Sequence, residues 1–516
     1  MLALAGLFSS CNDAIDIDQP GQVTNPSEIY RNSKDVQRGV YGIYALLPGE
    51  SEIEFNSVFT DEVALGIANG GQGLISGEYG FFMQPGNSFA TSTWGGYYSV
   101  VNQVNRLLNS IDELISQSPS PTELSNLKHS KAELLVLRAY SNYKLFAYFT
   151  PDYTNPSGLS IMKLDFLQTD DYSKTIGRST VSEIKDFILS DLEEAEAVNT
   201  QAWGTNIYVT QGLIDGIRTK LYAMIGDYNN VITSAQAVLT DPANQISNST
   251  EFSDYFNDVT DIPKEIIFQL QRVRGNASVA SAWYSSSVAR NGSPFYEMGR
   301  SLFNEFLGLS DSGNDVRYSV NVLAASTPQA NYESLPQSEY VSKDILLIGK
   351  YKGRRAQSLP LQNNIPVLRS ADIYLAMAEA RAAEGKFQAT ASSNSAVYTE
   401  GLNGESVEAI IYFLRVNRSS TRSTAVRVPV TNSQSAWKAI LDERRVEFAF
   451  EGHRYLDMKR LGAKAGSPGF QRYSKDAVVN GTTAGLPVTD HRMTLPIPTS
   501  ELNSNSIIRG QQNPGY

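Results

Sequence analysis

Apolar side chains recur three or four positions apart along much of the chain, which is the spacing of amphipathic helices. The pattern is strongest over residues 89–115 and 122–149, and a Thr180–Glu183 pair of the capping-box type opens another helix. Further helices are predicted at 208–225, 228–239, 371–384 and 434–451. Strand patterns are few and short, and the best covers residues 265–270. The sequence therefore predicts a mainly α-helical fold.

Two places along the chain repeat one local design. A predicted helix ends at Gly226 and Tyr228 follows it, and another ends at Gly385 and Phe387 follows it. Glycine supplies the left-handed C-cap, and the aromatic ring packs back into the angle between this helix and the next one. Each helical hairpin buries its apolar face only against neighbours, so we predict a tetratricopeptide-like superhelix of hairpins with long loop-rich insertions.

The insertions are two stretches in which the helical pattern fails. Residues 66–88 and 241–366 are rich in Gly, Ser, Asn, Pro and aromatic residues and show little period. Segments of this kind within a compact protein usually form functional surface. We expect one body over residues 31–516, with both insertions facing a ligand. Its helical frame is predicted at 31–65, 89–240 and 367–465.

Composition narrows the classes of function. The 516 residues carry 43 Lys and Arg against 54 Asp and Glu, a formal net charge of −11, which argues against nucleic acid as the main partner. One Cys and three scattered His do not make a zinc cluster, so we expect no such metal site and no cofactor, although calcium sites built from oxygen ligands stay open. G-x-S-x-G, Walker and H-E-x-x-H motifs are missing, which leaves no residue to name as a nucleophile or base, so we name no catalytic residue and expect no enzyme.

The first residues resemble a lipoprotein leader. The apolar run from Leu2 to Phe8 is followed by two serines and Cys11, which is the order of an h-region, a small-residue cleavage site and a lipobox cysteine. We expect residues 1–10 to be a signal peptide whose true start lies upstream, because no Lys or Arg precedes the run. Cys11 is the predicted lipidation site, and residues 11–30 form a mobile acidic leader that tethers the body to a membrane. The alternative is an apolar segment with an inert thiol.

Four segments carry a family resemblance. They read LLVLRAYSNYKLFAYF from Leu134, LRSADIYLAMAEARAAEGKF from Leu368, AILDERRVEFAFEGHRYLDMKRLG from Ala439 and LPIPTSELNSNSIIRGQQNPGY at the end. In order and spacing they resemble the motifs of the SusD/RagB family of surface lipoproteins in Bacteroidetes-type bacteria. The resemblance extends over nearly the whole chain, and its most specific parts are the third segment and the final Gln-Asn-Pro-Gly-Tyr.

The resemblance implies a nutrient-binding lipoprotein on the outer face of the outer membrane. Members of this family bind oligosaccharides, or peptides in the RagB branch, and close as a lid over a SusC-like TonB-dependent transporter. We therefore predict capture of an oligosaccharide for import, with a RagB-like peptide binder as the alternative. A surface glycan hydrolase and a general protein-interaction scaffold are less favoured.

The charged residues of the third segment predict ion pairs. Glu443, Glu447, Arg454 and Asp457 are spaced so that carboxylates and guanidinium groups meet on one side of a helix or its continuation. A glycosidase would need one carboxyl group with a raised pKa, which neighbouring Arg residues oppose. The proline-containing tail from Leu495 predicts an extended segment that docks on the body as a clasp.

Aromatic residues in the insertions are the candidate ligand contacts, because sugar rings present flat C–H faces that pack on Tyr and Trp. We predict that four of them bind the substrate, in this order: Trp283, Tyr284, Tyr296 and Tyr79. Each ring could instead pack its own loop onto the body. Trp94 and Trp437 lie among apolar helical positions, and we assign them to the core.

Overall fold

The computed structural model of the protein describes most of the body. The described residues are 29–69, 77–166, 175–257, 259, 264–273, 279, 283, 294–351, 353–354, 359–360, 363–389, 406–477 and 484–516. The predicted signal peptide, residues 11–28 of the predicted leader, including Cys11, and Tyr284 lie outside the described residues.

Helices make up most of the described chain. In order they are α1 Ser33–Leu46, α2 Glu50–Val58, α3 Ser88–Ser116, α4 Pro121–Phe149, α5 Val181–Val198, α6 Gln211–Ile225, α7 Tyr228–Thr240, α8 Ser249–Phe256, α9 Arg300–Gly313, α10 Arg317–Asn321, α11 Gln337–Lys343, α12 Ser370–Ala383, α13 Val407–Arg418, α14 Ser433–Glu447, α15 Arg454–Leu461 and α16 Thr499–Ser504. The prediction of a mainly α-helical protein is confirmed.

The strands are short and form antiparallel pairs. They are β1 Val63–Leu65, β2 Ile266–Leu270, β3 Tyr296–Met298, β4 Gly353–Arg354, β5 Leu359–Pro360, β6 Ile365–Arg369, β7 Gly469–Gln471 and β8 Gly485–Pro487. β1 pairs with β3, β2 with β6, β4 with β5 and β7 with β8. The strand predicted at 265–270 is confirmed as β2.

The long helices begin at capping residues that the sequence supplies. At α3 and α4, the side chains of Asn87 and Ser120 each accept a hydrogen bond from the backbone N–H three residues further on. At α5 the predicted capping box forms, because Thr180 and Glu183 each accept from the backbone N–H of the other. These caps explain why helices of 29 residues start where the apolar pattern starts.

Successive helices pack as hairpins. α3 packs on α4, α4 on α5 and α6 on α7, while α7, α13 and α14 all pack on α12. Gly226 follows α6 with φ +81°, and Gly385 lies beyond α12 with φ +77°, so both glycines adopt the predicted left-handed conformation. The predicted tetratricopeptide-like arrangement of hairpins is confirmed.

The centre of the core is formed by α4 and α12. Every residue from Ala132 to Tyr143 of α4 is buried, and so is every residue from Ser370 to Ala380 of α12. A helix buried on all sides takes polar residues into the interior, where they need partners. Arg138 of α4 accordingly donates to both carboxylate oxygens of Asp191 on α5, at 2.9 and 2.6 Å.

The helix predicted at 434–451 ends earlier than the sequence indicates. α14 stops at Glu447, and the chain turns through Phe450 with φ 60° and Gly452 with φ 84° before α15 begins. The turn brings Glu451 back to Arg369, whose guanidinium donates to its carboxylate at 2.8 and 2.9 Å. The predicted end at 451 is therefore wrong, because this buried charge pairing overrides a helical pattern that continues in the sequence.

The stretch 241–366 contains helices that its pattern does not indicate. α8, α9, α10 and α11 all lie in it, and the longest of them, α9, has 14 residues. Short helices bury only a few side chains each, so their apolar spacing does not stand out from loop sequence.

Candidate functional site

The rings predicted to form a ligand platform lie in the core. The exposed fraction is 0% for Trp283, 1% for Tyr79 and 9% for Tyr296. Trp283 packs edge-on against Phe450 at a centroid distance of 5.8 Å, and Tyr79 stacks towards Tyr296 at 6.3 Å. The expectation of exposed ring faces is therefore corrected for these three residues. The fourth residue, Tyr284, lies outside the described residues.

Strand pairing and a buried arginine draw these rings inward. β1 pairs with β3, and β3 begins with Tyr296. The guanidinium of Arg472 lies 3.9 Å from the ring centroid of Tyr79 and 4.1 Å from that of Phe81. The hydroxyl of Tyr79 donates to the backbone carbonyl of Asp476 at 2.6 Å. The described aromatic residues here hold loop segments to the body, which is the alternative that the sequence left open.

Three buried carboxyl groups near these strands have raised pKa values. Burial raises the pKa of Glu297 to about 8, although the Leu346 N–H donates to it. Burial also raises the pKa of Glu62 to about 7, against a hydrogen bond from Ser57, and that of Asp476 to about 6. A raised carboxyl pKa is one mark of a catalytic acid, but these three groups are buried among structural donors. We therefore assign these three carboxyl groups a structural role at the base of the loops.

The two glutamates that could suggest a glycosidase belong to a buried ion network. Glu443 and Glu447 are fully buried, with guanidinium nitrogens 2.7 to 3.0 Å away that belong to Arg317, Arg369, Arg415 and Arg418. Burial raises the pKa of each carboxyl group, but the Arg charges outweigh burial and hold both values below the usual range. Arg454 also forms an ion pair with Asp61 at 2.8 Å, and Asp457 forms one with Arg444 at 2.7 Å. Each of the four residues is therefore ion-paired, but the predicted pairing along one helix side is wrong, because α14 ends at Glu447 and the partners come from other segments. Glu443 and Glu447 are unsuited to act as a general acid.

The C-terminal tail docks on the body as predicted. The Leu495 N–H donates to the carbonyl oxygen of Tyr148 at 3.0 Å. The side-chain amide of Asn513 donates to the carbonyl oxygens of Phe149 and Leu495, at 2.9 and 2.7 Å. The tail is therefore fixed to the end of α4, and it places α16 beside α3.

A cleft of about 560 Å³ lies between α3, α16 and the chain segments around residues 162–166 and 175–176. Ligand sites in proteins commonly enclose about 300–1,000 Å³. Among the described residues, the lining combines aromatic and aliphatic side chains with amides, hydroxyl groups and one carboxylate, that of Glu501. This mixture of an apolar body with a few polar groups is typical of a small-molecule site.

Hydrogen bonds fix the walls of the cleft. The Trp94 indole N–H donates to one carboxylate oxygen of Glu501 at 3.2 Å, and the Asn505 amide donates to the other at 3.0 Å. The Tyr98 hydroxyl accepts from the Met162 N–H at 2.8 Å and donates to the carbonyl oxygen of Met162 at 3.1 Å. α3, α16 and the 162–166 segment are therefore held in register around the cavity.

One polar atom in the cleft is buried without a hydrogen bond. Trp94, Tyr98 and Asn102 lie four residues apart on α3, so they share one side of the helix. The Oδ1 atom of Asn102 is buried and accepts no hydrogen bond in the structure. Such an unsatisfied acceptor costs about 1–3 kcal/mol, so a rotation of the Asn102 side chain that brings the oxygen to a bound donor is favoured.

The sequence analysis missed this cleft. It placed Trp94 in the core, which is confirmed by an exposed fraction of 4%. The one local signal was the position of Asn102 in line with Trp94 and Tyr98 on α3. The opposite wall comes from Glu501, about 400 positions away in sequence, so no local pattern connects the two.

A small cavity of about 50 Å³ is lined by Lys220, Asp372 and His453, among others. Lys220 donates to both carboxylate oxygens of Asp372, at 2.7 and 2.6 Å. Burial lowers the pKa of His453 to about 3, so its ring is neutral. A polar cavity of this size suits ordered water rather than a nutrient.

Neither a metal cluster nor a membrane-spanning helix is found among the described residues. In the part of the chain that the structure describes, no three His, Cys, Asp or Glu side chains converge to hold a metal ion. Over the same residues, no helix is both long enough and apolar enough to cross a bilayer.

Known proteins resemble the chain in sequence and in fold. The sequence profile of the SusD family matches residues 224–516, more than half of the chain, and a profile described as "Starch-binding associating with outer membrane" matches residues 76–212. SusD-like protein P2 of Formosa agariphila is 21% identical over 548 aligned positions, which cover 100% of this chain and 98% of that protein.

Solved structures share the architecture. A SusD superfamily protein of Bacteroides thetaiotaomicron superposes with a TM-score of 0.71 at 21% identity, covering 94% of this chain and 100% of that one. A laminarin-binding SusD-like protein superposes with a TM-score of 0.64 at 20% identity, covering 94% and 100%. The matches span both the helical frame and the tail motif. The chain belongs to the SusD family.

Proposed function

We propose that this protein is a cell-surface lipoprotein that captures an oligosaccharide and delivers it to a SusC-like TonB-dependent transporter, over which it acts as a lid. The observation that carries the proposal is membership of the SusD family across residues 224–516. The description of the profile matched by residues 76–212 refers to starch binding and to association with the outer membrane. It favours a glycan as the ligand and the outer membrane as the location.

The site chemistry favours binding over catalysis. Glu443 and Glu447 are held ionised by Arg side chains, whereas a glycosidase needs one protonated carboxyl group. Recognition of a sugar needs hydroxyl partners and apolar ring contacts, and the cleft beside α3 offers both. A laminarin-binding relative of the same fold supports a glycan as the ligand, ahead of a peptide.

The anchor in this proposal is the thiol of Cys11, acylated after cleavage of the preceding apolar run. Membrane attachment then comes from lipid, and the body faces the cell exterior. A Cys11→Ala protein should move from the membrane fraction to the soluble fraction of the cell envelope. Unchanged fractionation would remove the anchor from the proposal.

Ligand class is tested by applying the Cys11→Ala protein, which lacks the anchor, to a glycan array and to a random peptide library. We expect selective glycan signals and no release of product from the polysaccharides that bind. Selective peptide binding without a glycan response would favour the RagB-like alternative, and product release would favour a hydrolase. Co-purification of the anchored protein with a TonB-dependent transporter tests the lid role.

A further inference from the structure

We propose that the cleft between α3 and α16 binds a neutral, hydroxyl-rich saccharide unit and rejects anionic sugars. The inference rests on the proposed function for the general class of ligand. It adds the place of binding and the charge of the sugar. The proposed site differs from the loop aromatics that the sequence predicted as ligand contacts.

The first step is the construction of the cleft. Its volume of about 560 Å³ is ample for a short saccharide. Trp94 and Asn505 both donate to Glu501, and Tyr98 both donates to and accepts from the Met162 backbone, so the walls are fixed before a ligand arrives. A site already shaped for its ligand loses little conformational entropy on binding.

The second step is the unsatisfied acceptor. Asn102 lies on the cleft wall, and its Oδ1 atom is buried behind the wall without a donor in the structure. The exposed residues Ser99 and Ser500 add hydroxyl groups to the lining. A ligand with several O–H groups exchanges hydrogen bonds with the serines, and it donates to the amide oxygen once the Asn102 side chain turns towards the cleft. Sugar hydroxyls meet this pattern, and a purely apolar ligand leaves the amide oxygen unsatisfied.

The third step is the charge of the lining. Glu501 is the charged side chain among the described residues that line the cleft. Each of its oxygens accepts one hydrogen bond from the protein, at 3.2 and 3.0 Å, and has capacity to accept another from a sugar hydroxyl. A sulfate or uronate group would face this carboxylate, and none of the described lining residues is a cation that offsets the repulsion. The cleft therefore selects uncharged sugars.

A glycine on the cleft wall gives a direct test. A Cβ atom built at Gly95 of α3 meets no heavy atom within 4 Å, so a side chain there grows into open space at the cleft. Gly95→Phe should fill the cleft while the backbone stays unchanged. Gly95→Ala is the matched control, because it makes the same helical change without the volume.

The experiment measures affinity by calorimetry in the Cys11→Ala chain and its variants. The probes are laminaritriose and maltotriose as neutral sugars, and a sulfated trisaccharide and a trigalacturonate as anionic ones. We expect neutral binding in the parent and in Gly95→Ala, at least about tenfold weaker binding in Gly95→Phe, and about five- to tenfold weaker binding in Asn102→Leu. Circular dichroism confirms that each variant is folded.

The outcomes separate the inference from the proposed function. If the parent binds a neutral sugar and both Gly95→Phe and Asn102→Leu bind it equally well, the cleft is not the site and only the inference is wrong. Tighter binding of the anionic probes would also overturn it. If the parent binds no saccharide of either charge or on the wider array, the proposed function fails and the inference fails with it. Should Gly95→Phe not fold, Asn102→Leu and the charge preference decide.

Discussion

Glu447→Gln should destabilise the protein more than any exposed charge change on the same helix. The substitution keeps the shape of the side chain and removes one negative charge from a fully buried position. The carboxylate lies 2.8 Å from Arg418, 2.9 Å from Arg369 and 3.0 Å from Arg317. Its removal therefore leaves three buried guanidinium groups with less compensating charge.

The magnitude follows from the burial of the partners. Removing one member of a buried ion pair costs about 3–5 kcal/mol, because the other charge stays away from water. Domains are stable by only about 5–15 kcal/mol, so the loss is about a fifth or more of the total. Asp442→Asn on α14 is the matched control, because its partner Lys438 and Asp442 itself are 64% and 51% exposed. Exposed pairs contribute about 0.2–1 kcal/mol.

Urea unfolding followed by circular dichroism at pH 7 measures both variants against the parent protein. We expect the free energy of unfolding to fall by several kcal/mol for Glu447→Gln and by less than about 1 kcal/mol for Asp442→Asn. The Arg charges hold the folded-state pKa of Glu447 below that of the unfolded chain, so the difference from the parent should be full at neutral pH and shrink in acid. Equal stability of the two variants at pH 7 would refute the reasoning.

Three further predictions concern stability. The folded chain keeps the Glu297 proton up to about pH 8, whereas the unfolded chain releases it near pH 4.3, so the free energy of unfolding should decline as pH rises between these values. Glu297→Gln should flatten that decline in a pH series of urea titrations. An unchanged slope would contradict the assignment. Gly226→Ala places a side chain at φ +81° and should cost about 1–2 kcal/mol, whereas Gly95→Ala should not destabilise. Asn513→Ala removes donors to the carbonyl oxygens of Phe149 and Leu495 and should make the tail cleave faster in limited proteolysis; parental cleavage rates would argue against the clasp.

The helical frame could be predicted because its information is local. The apolar spacing of α3 and α4, the Thr180–Glu183 capping box and the left-handed glycine at Gly226 each depend on residues within one or two helical turns. The end of α14 could not be predicted in this way. Glu451 leaves the helix to meet Arg369, 82 residues earlier in the chain, and sequence spacing does not show such a partner.

The candidate site was harder to predict for the same physical reason. Composition places Tyr79, Trp283 and Tyr296 in insertions, but it does not say which side of a loop faces the body. Arg472, nearly 400 residues after Tyr79, holds that ring inward. The cleft likewise joins Trp94 to Glu501 across 407 positions. Sequence spacing identifies single helix faces, whereas the site is formed by the packing of distant segments.

The most direct test of the account is a calorimetric titration of the Cys11→Ala chain with neutral trisaccharides, with their sulfated counterparts and a peptide pool titrated in parallel. The account predicts saturable heat with a neutral sugar, weaker or no heat with the sulfated form, and none with the peptides. Saturable binding of peptides together with silence from every sugar would contradict it.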